Sequence, residues 1–581
     1  PPSLTLTAML RYLLSLALVL QVSAQETMIR QVFDPVTDTH VEVLALFSKP
    51  SPGGYFPVRV KIANNLKNDS NVWIEFTSKA DYSNDLQTTS SFNFTASGGK
   101  TITRDILVPL SPLGTSQADI NVEATLGGSM GRAENTIRTT IDANQPAVLL
   151  SEALFTPNAS SLDSATTAKG GGSSRGSNEF AAKFDPKQLP DDWLAFSGYD
   201  SVIMTDGDWT NIPPGGRNAI LSWLRLGGQL VIYSTGSATA AELGIPAETS
   251  FGTVAIRPVS SGLKLDAPAV VKLVTGNATK PQQVSQQSNF QSSWPLQILF
   301  GAQTFRYALF IAILILFGIL VGPVNLFVFA KSGQRHKLFI TTPIISLGAS
   351  LILIALIIVQ DGFGGNGIRR VLMEVRPDAG ANAAYLHQEQ FCRTGVLTGS
   401  RFTIDTPSTF EPVVIAASRW ARFTDGSGAK GNFNLQPADG KLQASGDWFQ
   451  SRSEHGHVLS AVVATRGRIE KTDTPGTCLS TFEFPIDTLF YLDEAKQWHR
   501  AEAITAGKRF TLTPVENSMV DPALATEINA FAARNKQFLK TSTKRPGHFI
   551  AITTQAPGID TNPGIRWKET RTVITGPIVS P

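Results

Sequence analysis

The chain has 581 residues, too many for one core, so three or four domains are expected. Charged residues make up 17% and the formal net charge is +3, which argues against a nucleic-acid-binding surface. The two cysteines, Cys392 and Cys478, form no CxxC pair, which excludes a cysteine-based zinc module or iron–sulfur site.

Residues 1–24 read as a signal peptide starting at Met9. Arg11 supplies a positive n-region, residues 12–20 an apolar run, and Val22-Ser23-Ala24 a small-residue cleavage signal before Gln25. That run is too short to span about 30 Å of hydrocarbon. Residues 25–142 carry alternating segments, "YFPVRVKIAN", "SNVWIEFTS", "KTITRDILVPL" and "ADINVEATL", separated by Asn, Gly, Ser and Pro. Short strands at this spacing predict an immunoglobulin-like β-sandwich.

At Pro146 the pattern changes, and residues 143–260 read as an α/β domain. "AVLL" is a buried strand, and the Ser/Gly-rich stretch around "TTAKGGGSSRGSN" a flexible loop. A strand is expected at residues 201–205 and a helix in "PPGGRNAILSWLRLGG", opened by Pro213-Pro214 and closed by Gly227-Gly228. "QLVIYS" is the next strand, completing a parallel crossover unit.

After a connector at 261–305, a helical hairpin is expected over 306–360. Residues 307–330, from Tyr307 to Ala330, contain no charge, and neither do residues 338–360, from Leu338 to Gln360. Each exceeds the roughly 20 residues that a membrane-spanning helix needs. Gly322-Pro323 should kink the first span, and Asn325 could bond to the second. The link "KSGQRHK" holds Lys331, Arg335 and Lys337, so the positive-inside bias sets it in the cytoplasm and the domains on either side outside. No ionisable residue lies inside the spans, which favours an anchor over a transport pathway.

Residues 361–581 return to β patterning and predict a β-rich C-terminal domain, a second sandwich, with an amphipathic helix in "DPALATEINAFAARNKQFL". Glu454-His455-Gly456-His457 lacks a third metal ligand and reads as a solvated loop. An exported position permits a disulfide between Cys392 and Cys478; equally, each thiol could pack as a small hydrophobe. Four Asn-x-Ser/Thr sequons, at Asn68, Asn93, Asn158 and Asn277, would matter only in a eukaryotic secreted protein.

The segments "YDSVIMTDGDW" and "GGQLVIYSTG", with a helix between, resemble the class I glutamine amidotransferase-like (flavodoxin-like) fold. The resemblance implies a nucleophile elbow at the end of the second strand, with Ser234 at the position of that family's cysteine. The whole layout resembles bacterial inner-membrane proteins with an exported β domain, an amidotransferase-like domain and a "GPVN" hairpin. The enzyme pattern breaks at the base. An elbow nucleophile needs a histidine oriented by a carboxylate, and the seven histidines leave the stretch between His40 and His336 empty.

Asp206-Gly207-Asp208 sits at the carboxyl end of a parallel strand, where open α/β sheets bind ligands. With Trp209 and Ser234 these residues form the candidate ligand site; a plain Asp-Gly turn is the alternative. No metal or cofactor is implied. The expected protein is membrane-anchored and periplasm-facing, binding the bilayer and other envelope proteins without enzymatic activity. A serine-dependent hydrolase or amidotransferase-like enzyme using Ser234, and an accessory subunit of a membrane transport complex, are the alternatives.

Overall fold

The computed structural model describes residues 26–580 apart from 52, 81–82, 113–116, 143–145, 171–179, 247–248, 278–293, 302–306, 331, 378–381, 416–417, 419 and 422–430. The expected signal peptide lies outside the described residues. The chain is multidomain and rich in β-sheet, with several sheets and two apolar helices.

The N-terminal strands form two antiparallel sheets. β1 (Glu26–Asp34), β2 (Thr39–Ala45), β3 (Tyr55–Asn64) and β6 (Lys100–Pro109) make one, in the order β1-β2-β3-β6. β4 (Ser70–Ala80), β5 (Ser83–Ala96), β7 (Gln117–Gly128) and β8 (Ala133–Asp142) belong to the other. Alternate residues are buried along both, Val58, Val60 and Ile62 in one and Ile74, Phe76, Ala124 and Leu126 in the other. That period of two is the reason the strands were legible.

The α/β domain is built on five parallel strands: β9 (Val148–Ser151), β10 (Ala182–Phe184), β11 (Ser201–Thr205), β12 (Gln229–Ser234) and β13 (Thr253–Pro258). Their spatial order is β10-β9-β11-β12-β13. Counted within the domain this is 2-1-3-4-5, the doubly wound order of flavodoxin-like sheets. β9, β11 and β12 are buried on both faces, hence their unbroken apolar runs. The helix Pro214–Arg225 buries Ala219, Ile220, Trp223 and Leu224. It stops where Gly227 takes a φ of 112° and where a Cβ on Gly228 would meet the Trp223 ring at 2.4 Å.

Two features of this domain differ from the sequence expectation. The segment Glu152–Gly170, which includes the first residues of the expected Ser/Gly-rich loop, is a helix, and residues 171–178 of that stretch lie outside the described residues. Asn158 fastens it, donating to Leu263 O and accepting from Leu265 N, both at 2.8 Å. The helix Ala267–Asn277 packs Val270, Val271 and Val274 into the same core, so the domain extends past residue 260. Phe47, from the segment after β2, joins the other core of this sheet beside Phe184, Phe196 and Tyr199.

The first apolar span begins as the α-helix Tyr307–Ile319 and continues as a π-helix, Leu320–Phe329. Pro323 is thus accommodated by wider winding, and Ala330 N–H donates to Asn325 O, five residues back, at 2.9 Å. The second is the α-helix Leu338–Asp361. As expected, Asn325 bonds across. It is fully buried, accepts from Thr341 Oγ1 at 2.5 Å and donates to Thr342 Oγ1 at 2.9 Å.

The C-terminal strands are β14 (Gly365–Arg376), β15 (Ala383–Thr394), β16 (Phe402–Ile404), β17 (Ser408–Pro412), β18 (Gly431–Ala438), β19 (Lys441–Gly446), β20 (Glu454–Ala464), β21 (Ile469–Lys471), β22 (Thr477–Ser480), β23 (Ile486–Leu492), β24 (Trp498–Ile504), β25 (Arg509–Thr511), β26 (Thr513–Val515), β27 (His548–Thr553) and β28 (Ile565–Val579). Twelve of them form one long mixed sheet, β17-β20-β15-β14-β28-β27-β23-β24-β26, with β21, β22 and β25 branching from it, while β16, β18 and β19 lie in a separate sheet, in the order β16-β19-β18. β14 runs parallel to β28, some two hundred residues on, from Gly365 beside Ile565. The expected single amphipathic helix is two, Asn517–Asn529 and Ala533–Ser542.

The middle of β15 is polar and buried: His387, Gln388, Glu389 and Gln390. Glu389 accepts from Trp294 Nε1 at 3.1 Å, Ala532 N–H at 3.0 Å and Asn535 Nδ2 at 2.7 Å. Burial pushes its carboxyl above the usual range, and these donors pull the other way. The substitution Glu389→Ala strands buried donors and should destabilise the C-terminal domain by about 3 kcal/mol. Urea unfolding of the full-length protein in detergent, followed by amide exchange in β15, measures it; wild-type protection would contradict the assignment.

Candidate functional site

The 2-1-3-4-5 order makes the chain leave β9 in opposite directions, so the carboxyl ends of β9 and β11 flank the switch point where such sheets bind ligands. Ser151 ends β9 and Thr205 ends β11, with Asp206 and Asp208 following directly. Ser234 ends β12, the next strand over.

The structure brings Asp206 and Ser234 together. Ser234 is 2% exposed, and its hydroxyl donates to Asp206 Oδ2 at 2.5 Å. Ser234 Oγ in turn accepts from Gly236 N–H at 3.1 Å, holding the turn after β12. The hydroxyl is therefore engaged on both sides, as donor to a carboxylate and as acceptor from the backbone. The sequence supplies no histidine to this domain.

Asp208 has a different task. It does not form a plain turn, since residues 206–211 are a short helix, Asp206–Asn211. Thr205 Oγ1 accepts from Asp208 N–H at 2.9 Å, and Asp208 Oδ2 accepts from Thr205 N–H at 3.1 Å, a reciprocal capping box. Ser151 Oγ donates to the same Oδ2 at 2.6 Å. Asp208 thus ties β9 to β11 across the switch point. Ser151 went unnoticed in the sequence, where a single serine after an apolar run carries no signal of its own.

The structure buries Trp209. It is 1% exposed and donates its indole N–H to Leu243 O at 2.8 Å, so it belongs to the core. At the switch point the partly exposed groups are Asp206 and Asp208. Among the described residues no group of three or more His, Cys, Asp or Glu side chains is arranged to hold a metal ion.

In the C-terminal domain, Glu454-His455-Gly456-His457 lies in β20 and is buried, not a solvated loop. A shallow pocket beside it is lined by Asp447, Trp448, Gln450, His455 and His457. His457 Nε2 lies 3.0 Å from Trp448 O, and burial holds its pKa far below the usual range. His455 Nε2 accepts from Gln450 N–H at 2.9 Å. The pair holds the turn before β20. Cys392 and Cys478 are both buried and free; they lie on β15 and β22, which are not neighbours, so the permitted disulfide is absent. Burial pushes the Cys392 thiol up, which suits an unreactive core residue.

No family model matches the chain, and no curated protein matches it. Among solved structures it is similar to a Paenibacillus sp. cycloisomaltooligosaccharide glucanotransferase complexed with cycloisomaltoheptaose, over 33% of this chain and 27% of that one, at 14% identity and a TM-score of 0.17. It is also similar to a calcium binding mutant of Bacteroides uniformis beta-glucuronidase 2, over 32% of this chain and 23% of that one, at 10% identity and a TM-score of 0.15. The chain spans about a quarter of the length of these structures. A likeness of this size assigns neither fold nor activity.

Two measurements check the site. Ser234→Ala removes the donor from Asp206 and should lower protection of the β12 amides by about 1 kcal/mol, while Ser234→Thr, which keeps the hydroxyl, should cost less. A water-soluble maleimide should leave both cysteines unmodified in the folded protein and label both after denaturation without reductant; no labelling after denaturation would reveal a disulfide.

Proposed function

We propose that this protein is a membrane-anchored binding or scaffolding component of a bacterial cell envelope, facing the periplasm and without enzymatic activity. The observation that carries this reading is the Ser234–Asp206 contact, 2.5 Å long, in a domain whose sequence has no histidine. A serine hydroxyl needs a base that takes its proton and holds it at neutral pH. A partly exposed carboxylate alone is a poor one, and here the hydroxyl fixes the end of β12 instead. The switch-point rim, with Asp206 and Asp208, then serves to bind a partner or a small ligand.

The domain is read as amidotransferase-like. Its 2-1-3-4-5 parallel order and the serine at the end of β12 support that reading, with Ser234 in the place of the family's cysteine. Anchoring is supported by the two helices long and apolar enough to cross a membrane, Ile311–Phe329 and Arg335–Val359, and by the basic link between them. One observation favours an enzyme: Asp206 already touches Ser234 Oγ, as a base would.

The readings separate by experiment. A reporter fused after residue 365 should be active only in the periplasm; a cytoplasmic signal would overturn the topology. A fluorophosphonate probe should leave the native, full-length protein unlabelled. Labelling that disappears in Ser234→Ala would establish the hydrolase instead.

A further inference from the structure

The short helix Pro295–Phe300 precedes the first apolar span and is apolar on nearly every side. One face is spoken for. Trp294 and Leu296 are fully buried against Phe391 and Val458, and a Cβ on Gly456 would lie 2.2 Å from the Trp294 ring. The other face is open: Ile298 is 68% and Leu299 55% exposed. A helix apolar all round requires apolar surroundings all round.

The position of this helix says what those surroundings are. Arg393, at the end of β15, donates from Nη2 to Gly301 O at 3.0 Å, and the Phe300 ring meets Phe391 edge to face, with centroids 5.4 Å apart. Arg393 lies opposite Asn366, and Thr394 opposite Gly365, at the start of β14. That start follows directly on the second span, which ends at Asp361. Asp361 is itself fixed by Arg452 Nε at 2.7 Å. Both exits of the hairpin are therefore held at one end of one sheet. Phe363, 69% exposed, sits at that end.

β28 starts there too, and its first turns carry exposed cations. Arg566 lies beside Asn366, and Lys568 Nζ is 5.7 Å from the Phe300 ring; both side chains are exposed. Exposed aliphatic and aromatic groups beside lysine and arginine match the region between acyl chains and phosphates.

We infer that this end of the C-terminal domain rests on the lipid surface from which the hairpin emerges. Ile298, Leu299 and Phe363 enter the acyl boundary, and Arg566 and Lys568 face the lipid phosphates. The inference rests on the hairpin spanning the bilayer. It adds that the domain is seated on the membrane and not merely tethered to it.

The test uses full-length protein in nanodiscs of mixed zwitterionic and anionic phospholipid. An environment-sensitive fluorophore is attached at Ile298→Cys, at Ile315→Cys within the span, or at Ala464→Cys. Ala464 ends β20 opposite Ala383, at the far end of β15. The label at 298 should be quenched by a lipid-borne quencher at headgroup depth and shielded from aqueous iodide, whereas the label at 464 should show the reverse. Charge reversal at both Arg566 and Lys568 should weaken the lipid quenching at 298 in anionic discs and leave it unchanged in neutral ones. If 298 behaves as 464 while 315 is lipid-quenched, the seating is overturned and the anchor stands. If 298 is shielded from both quenchers, a protein covers the helix and the lipid assignment is overturned. If 315 also behaves as 464, the spanning reading itself fails.

Discussion

Buried polar groups must find partners, and in this chain that demand assembles the C-terminal domain. Four consecutive polar residues, His387 to Gln390, occupy the middle of a central strand. Each draws in a segment remote in sequence. Gln388 pairs with the backbone of Ile559 in both directions, at 2.8 Å each way. Glu389 collects Trp294, Ala532 and Asn535. His387 meets Ser460 at 3.0 Å. An unpartnered group at any of these positions costs more than the hydrogen bond itself contributes, so the segments are held by a penalty for leaving as much as by attraction.

The same logic governs the switch point of the α/β sheet. Ser151, Thr205, Asp206, Asp208 and Ser234 are the residues a doubly wound enzyme would turn toward its substrate. Here their strongest hydrogen bonds point at one another. The Ser151 and Ser234 hydroxyls donate to carboxylates, the Thr205 hydroxyl accepts from Asp208 N–H, and backbone amides close the cap and the turn after β12. A site with its donors spent internally is held in one geometry before any ligand arrives. Geometry at a strand end and chemistry at a strand end are separable: the fold sets Ser234 beside Asp206, and what that pair can do depends on the groups around it.

How much of this was legible depended on whether the signal was local. β3, β11 and β12 could be read because alternation or an unbroken apolar run states burial directly. The helix Glu152–Gly170 was hidden, since serine, threonine and asparagine prefer loops when isolated; its stability comes from packing against Ala267–Asn277, which no local pattern reports. Trp209 looked like a ligand contact beside two aspartates, and only the position of Leu243 shows it to be core. Pro323 predicted a disturbed helix, and the segment around it, Leu320–Phe329, is wound as a π-helix, a winding that no sequence pattern announces. The adjacency of β14 and β28 was beyond reach, for nothing in either strand names its partner. Of the candidate site, Asp206 and Ser234 could be proposed singly, but their contact is a property of the β11–β12 register.

The hairpin shows what such constraints accomplish together. Its first span enters from Gly301, with a φ of 87°, and its second leaves through Gly362 and Gly364, with φ of 73° and 75°. These positive φ values suit glycine at little strain. Arg393 then takes the carbonyl before one span and Arg452 the carboxylate that ends the other. Between the spans, Asn325 ties the π-helix to Thr341 and Thr342, a polar node deep in otherwise apolar surface. Gly301 and Asp361 are thus both held at one end of the sheet, and the two helices are joined to each other. A flexible tether needs none of these contacts. Their presence means that the ends of the hairpin are built into the C-terminal sheet by specific side chains, Arg393 and Arg452.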